Sequence, residues 1–281
     1  MSAKVLDGKW VRDQILAELK PRIAKLRRRP GLAVVLAGND PASEIYVRNK
    51  VKASETLGIY SEQISPPATI TTEDLLGIVE GLNQRTEIDG ILVQMPLPAQ
   101  IDSRRILVSI SPDKDVDGFH PCNMGNLVAG NPGPRACTPA GIIELLKRYE
   151  IPIAGKHAVV VGRSDIVGKP MALMLLHENA TVTICHSKTQ DLAKECRRAD
   201  ILVAAIGRPA LITAYHIQRD RGTTVIDVGM NRLPGGKLIG DVDPEAAQQR
   251  SGAYTPVPGG VGPLTIAMLM SNTVTAAEKH Q

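Results

Sequence analysis

Ala158-Val-Val-Val-Gly162-Arg-Ser-Asp-Ile-Val-Gly168-Lys-Pro170 sets an unbroken apolar run against a glycine turn and the start of an apolar helix. The run reads as a strand buried on both faces. The turn then delivers a helix N-terminus, with its unpaired N–H groups, to whatever anion lies above it. Gly162 and Gly168 stand six apart with Ser164 in the middle position, whereas G-x-G-x-x-G places its outer glycines about five apart. A connection that merely needs glycine fits this spacing too, so the following strand has to decide. Thr181 to Cys185 runs into His186-Ser187-Lys188 without the acid that normally accepts the ribose 2′-hydroxyl of NAD. Arg163 in the turn offers a planar fork for a phosphate. The pattern favours NADP over NAD as the cofactor. Gly207 and Gly229-Met230 end later strands, where backbone has to approach a flat ligand closely.

Working outward, helix 170–179, strand 181–185, helix 191–197, strand 201–205 and strand 224–228 complete a compact dinucleotide-type unit. The first half repeats the alternation: strand 32–37, helices 41–57 and 72–83, strand 89–94 and helix 103–110. A Gly/Pro/Asn-rich loop follows over 118–139. Thr138-Pro139 reads as an N-cap and first helical residue of a bridging helix that runs to about Tyr149. A last helix starts at Leu264. The expected fold class is α/β with two domains: an N-terminal α/β catalytic domain over 1–137, completed by the C-terminal helix 264–281, and a Rossmann-type NADP-binding domain over 138–263.

Helix 43–57, turned by about 100° per residue, gathers Glu44, Arg48, Lys52 and Glu55 on one side. Lys50 falls on the other, among Tyr46, Val47, Val51, Ala53 and Leu57. A snorkelling stem that covers apolar surface is the ordinary explanation. Here, however, Tyr46 lies one turn earlier and Gly38-Asn39-Asp40-Pro41 places the helix at the C-terminal end of a strand, where α/β folds bind ligands. A partly desolvated lysine gives up its charge more readily and can serve as an acid or base. Gln94 ends the strand before Met95-Pro-Leu-Pro98. Asp113-Lys-Asp115-Val-Asp117-Gly118 opens like a calcium loop, but Met124 stands at its twelfth position and Pro121 intrudes, so no metal is expected.

Of the 281 residues 43% are hydrophobic and 22% charged, which excludes disordered and collagen-like chains. A single Phe, a single Trp and five Tyr leave the core to Val, Ile, Leu, Met and Ala. The net charge of +4 is spread out except for Arg27-Arg28-Arg29, read as a solvated helix end, so nucleic acid is not an expected partner. No apolar run approaches the ~18 residues of a membrane span, and no targeting segment is visible. Cys122, Cys137, Cys185 and Cys196 show no metal-ligand spacing, which suits a reducing cytoplasm.

Tyr46-Val-Arg-Asn-Lys50, Gly90-Ile-Leu-Val-Gln-Met-Pro-Leu-Pro98, Lys114-Asp-Val-Asp-Gly-Phe-His-Pro121, Gly162-Arg-Ser164 with Gly168, and Thr255-Pro-Val-Pro-Gly-Gly-Val-Gly-Pro263 occur in this order over nearly the whole chain. Together they resemble the bifunctional methylenetetrahydrofolate dehydrogenase/cyclohydrolase family. The resemblance implies NADP-dependent oxidation of 5,10-methylenetetrahydrofolate, hydrolysis of the product, a homodimer, and a place in one-carbon metabolism upstream of purine biosynthesis. It implies active-site roles for Tyr46, Lys50, Gln94 and Asp117, and cofactor contacts at Gly162, Arg163, Ser164, Gly168, Ser187 and Met230. Val93, Met95, Pro258, Gly259 and Gly262 are implied as further substrate contacts. Met95 departs from a commoner leucine with little change of volume. No formate-ligase domain follows, so the trifunctional form is not expected. Another NADP-linked dehydrogenase would share the glycine turn but has no use for Tyr46, Lys50 and Gln94 in this arrangement. A non-catalytic NADP sensor is the other rival.

Overall fold

A computed structural model describes residues 3–38 and 41–281. Asn39 and Asp40, in the segment expected to lead into the lysine helix, lie outside the described residues.

Chain order begins β1 (Lys4–Val5), α1 (Gly8–Ile23), β2 (Gly31–Val35), α2 (Pro41–Leu57), β3 (Tyr60–Ile64), α3 (Thr72–Gln84) and β4 (Gly90–Val93). It continues through α4 (Ser103–Ser109), α5 (Pro121–Ala129), α6 (Cys137–Arg148), β5 (His157–Val161), α7 (Gly168–His177) and β6 (Thr181–Cys185). Then come α8 (Leu192–Arg197), β7 (Ile201–Ala204), β8 (Thr224–Asp227), β9 (Asn231–Arg232) and β10 (Leu238–Ile239). The last elements are α9 (Pro244–Arg250), β11 (Ala253–Tyr254) and α10 (Val261–His280).

Two compact units result. One joins Gln14–Arg135 to Ile266–Gln281, and the other joins Met1–Asp13 to Ala136–Thr265. The first residues therefore group with the second half, a departure from the expected boundary. The cause is β1, which pairs in parallel with β11 at the edge of the larger sheet.

In the first unit a parallel sheet of order β3-β2-β4 carries α3 and α4 on a core of Val35, Leu75, Val79, Ile91, Val93 and Ile106. Every residue of β2 and β4 is buried, as their unbroken apolar runs require. Helix α10 closes this unit: Asn272 Nδ2 donates to the carbonyls of Val116 (2.8 Å) and Arg135 (3.0 Å). Of the arginine run, Arg27 and Arg29 are exposed as expected, whereas Arg28 is half-buried and engaged. Helix α1 stops at Ile23, and Arg28 makes a bidentate pair with fully buried Asp89, both contacts 2.7 Å. A buried carboxylate needs such a partner, and the planar guanidinium supplies two donors at once.

In the second unit the parallel order β1-β11-β8-β7-β5-β6 is built on Val159, Val161, Leu202, Ala204 and Val225. Its crossover reverses between β5 and β7, so the switch point lies beside the glycine turn. The N-cap of α6 is Ala136, not Thr138, and no side chain caps it. The Thr138 hydroxyl is engaged instead with that of Thr265, 2.9 Å away. The long loop also contains a helix, α5, capped by His120 with proline in its first turn.

Candidate functional site

Along α2 the buried positions Val47, Lys50, Ser54 and Leu57 follow helical spacing, and Lys50 is only 9% exposed. The lysine therefore occupies a core position. Its Nζ donates to Gln94 Oε1 at 3.0 Å, and Gln94 Nε2 donates onward to the Met95 carbonyl at 2.7 Å. Gln94 reaches this place because its backbone N–H extends the β2–β4 ladder, donating to the Val35 carbonyl before Pro96 ends the strand. Tyr46, one turn before Lys50, is 38% exposed. Val93 is buried below Gln94, and Met95 is half-buried.

Asp117 joins this group. It keeps partial surface exposure, yet protein crowds it closely enough that desolvation lifts its pKa to about 6. The Lys50 charge pulls the other way, and Asp115 adds to the rise. The segment that carries Asp117 is rigid for a reason that residue spacing does not reveal. Asp115 is a buried brace, not a turn former at the surface: it accepts from Gly118 N (3.1 Å), His120 N (2.8 Å) and Asn123 Nδ2 (2.8 Å). Lys114 Nζ caps the end of α3 through the carbonyls of Leu82, Asn83 and Arg85. The side chains of Lys114 and Asp115 are thereby spent on structure. No group of three or more His, Cys, Asp or Glu suited to a metal occurs among the described residues.

In the other unit the glycine turn is forced by packing. A Cβ on Gly162, whose φ is +133°, would lie 2.1 Å from the Ala205 carbonyl oxygen, and one on Gly168 would lie 2.3 Å from that of Gly162. Only glycine fits at either end. Ser164 Oγ accepts from Val167 N and Gly168 N, both 3.2 Å, and so opens α7. Arg163 is exposed at the turn, and Ser187 and Lys188 are exposed after β6. That turn is closed by His186, whose Nδ1 accepts from Lys188 N at 3.1 Å. The donor set is cationic and hydroxylic with no carboxylate, which fits a 2′-phosphate.

Met230 is 39% exposed, and a Cβ on Gly262 would meet its Cε at 3.0 Å. Pro258 is exposed and Gly259 half-buried, with φ +107° at the latter. Gly229 is required by a protein side chain and not by a ligand: a Cβ there would lie 2.4 Å from Asp241 Cγ.

Two family models match. The catalytic domain of tetrahydrofolate dehydrogenase/cyclohydrolase covers residues 6–117, and the NAD(P)-binding domain of the same family covers 136–281. The bifunctional protein FolD of Solibacter usitatus is 65% identical, over 99% of this chain and 98% of that protein. Among solved structures, the bifunctional methylenetetrahydrofolate dehydrogenase/cyclohydrolase of Campylobacter jejuni superposes with TM-score 0.96 at 47% identity, covering 99% of this chain and all (100%) of that one. The corresponding enzyme of Trypanosoma brucei, solved with NADP and an inhibitor, gives 0.93 at 39% identity, covering 99% and 98%.

Proposed function

The chain belongs to the tetrahydrofolate dehydrogenase/cyclohydrolase family, and we propose that it performs both reactions of that name. It oxidises 5,10-methylenetetrahydrofolate to 5,10-methenyltetrahydrofolate with NADP, then hydrolyses the product to 10-formyltetrahydrofolate. The observation that carries this reading is Lys50, buried on α2 with its Nζ aimed at Gln94 Oε1 beside Asp117.

When bound, NADP accepts the hydride of the first reaction. The cation left behind shares its charge over two nitrogens and no proton moves, so the chain's task in that step is positioning. Hydrolysis asks for more. Water adds to the methenyl carbon and sheds a proton. The ring nitrogen gains one as its bond to that carbon breaks, and the hydroxyl proton of the new formyl group leaves to solvent. Lys50 takes the first proton and returns it to the ring nitrogen, while Gln94 aims its Nζ. Tyr46 offers a partly exposed ring for stacking. The Asp117 carboxylate accepts paired N–H bonds from the aminopyrimidine end of the folate. Val93 and Met95, on either side of Gln94, line the folate's path. Gly162, Arg163, Ser164, Gly168, Ser187 and Met230 hold the dinucleotide.

We further place the enzyme in the cytoplasm as a homodimer whose ligands are tetrahydrofolate derivatives. Its cysteines are all free, which suits a reducing compartment, and no helix among the described residues is long and apolar enough to cross a membrane. The direct test is spectrophotometric. Purified protein given methylenetetrahydrofolate and NADP yields methenyl absorbance and reduced cofactor, and given methenyltetrahydrofolate it consumes it. If neither signal changes, the folate reading fails.

A further inference from the structure

One side chain, far away in sequence, holds the turn after β7 in place. Asp241, on the connection from β10 to α9, is fully buried. Its Oδ2 accepts from Ile206 N (2.6 Å) and Gly207 N (2.9 Å), and its Oδ1 from Arg208 N (2.9 Å) and Asn231 Nδ2 (2.9 Å). Three consecutive backbone N–H groups converge on one carboxylate because Gly207, at φ +71°, turns the chain through the left-handed region. Asp227 anchors the other side of the same connection, accepting from Asp241 N at 2.8 Å, Val242 N at 3.0 Å and Gly229 N at 2.9 Å. Residues 206–208 are thus fixed to β8 and to the β9–β10 hairpin. They also follow directly on Ala205, whose carbonyl forms the wall against which Gly162 packs.

Sheet order gives this brace a meaning. β6 lies on one side of β5 and β7 on the other. A dinucleotide with its pyrophosphate at the turn after β5 and its ribose phosphate at the end of β6 has to lay its other half over the ends of β7 and β8. We propose that Asp241 is the positioning residue for the nicotinamide half of the cofactor, acting through the 206–208 turn and not by contact. This rests on the reading of the glycine turn as an NADP site. Both carboxylate oxygens are needed, because an amide in this place would turn its own N–H groups toward backbone donors.

The test uses two probes of one site, 2′,5′-ADP for the adenosine half and whole NADP, on the full-length enzyme. In Asp241→Asn the Kd and KM for NADP rise about tenfold or more, from the loss of charge-assisted bonds that shape the turn. The Kd for 2′,5′-ADP stays within about twofold, and hydrolysis of methenyltetrahydrofolate keeps its kcat/KM. Unchanged NADP binding, or equal weakening of both probes, overturns the proposal. Should Asp241→Asn fail to fold, Gly207→Ala perturbs the same turn through strain at φ +71°, with open space around its methyl group, and has to give the same split. If the parent enzyme binds neither probe, the NADP reading itself falls and takes the proposal with it.

Discussion

Lys50 Nζ lies 3.0 Å from Gln94 Oε1, and the amide cannot flip, because its Nε2 is already given to the Met95 carbonyl at 2.7 Å. The orientation of the amide is thus set by backbone, and the lysine takes its aim from the amide. On the proposed mechanism the two activities make different demands on the residue. Lys50→Met, which keeps the stem's volume in its buried seat, lowers hydrolysis of methenyltetrahydrofolate by about a hundredfold or more. Dehydrogenation stays measurable, because hydride transfer moves no proton. Separate rate assays on the purified variant check this. Equal loss of both rates with folate binding intact would refute the division.

The proposed contact of Asp117 with folate implies a pH dependence whose sign is fixed. Burial holds its pKa near about 6, above the ordinary 3.8, and it is the ionised form that accepts paired N–H bonds. As pH falls through about 6 the acceptor is lost, so KM for folate rises on the acid side and is flat above about 7. Asp117→Asn binds weakly at every pH and removes that limb. KM measured from pH 5 to 8 in both proteins tests the point, and an acid limb that survives in the variant assigns the titration to another group.

Arg163 stands exposed at the turn, and no carboxylate follows β6. A charge-assisted bond to phosphate contributes more than a neutral one, so Arg163→Ala raises KM for NADP by about tenfold or more and leaves that for NAD nearly unchanged. Steady-state kinetics with each cofactor give the ratio. A ratio equal to the parent's would remove Arg163 from 2′-phosphate recognition.

Why some of this was legible in the sequence and some was not follows from the range of the interactions. Val159 to Val161 and Ile91 to Val93 announce buried parallel strands through their own composition, and Lys50 stands out by helical period alone. Edge strand β3 does not: Ser61, Glu62 and Gln63 are only half-buried or exposed, so no apolar run marks it. Helix α5 hides in a glycine-rich loop because its start is a histidine cap. Asp115 shows in the sequence only as part of a rejected calcium-loop pattern, since nothing in the spacing shows that its acceptors are filled by the backbone N–H groups of Gly118 and His120. Asp241 is harder still. Its meaning depends on N–H groups at 206–208, brought to it by the sheet, and in the sequence it is just the aspartate two residues before Asp243, the cap of α9.

Asp227 offers a stability test of that buried pair. Desolvation raises its pKa to about 7, against the N–H bonds from Val242, Asp241 and Gly229, and the Asp241 charge adds to the rise. Below the ordinary 3.8 the folded and unfolded chains both hold the proton, so the contribution is fully present. Between there and about 7 the folded chain keeps a proton that the unfolded chain has released, and stability falls as pH rises; above about 7 it is level. Asp227→Asn cannot titrate. It pays a fixed cost of roughly 1–3 kcal/mol, because its amide nitrogen replaces the acceptor of Val242 N. Urea unfolding at pH 5 and pH 8 therefore finds the parent losing about 1–3 kcal/mol more than the variant across that interval. Parallel losses in the two proteins would mean that the carboxylate is already ionised at pH 5, and that three backbone donors outweigh its burial.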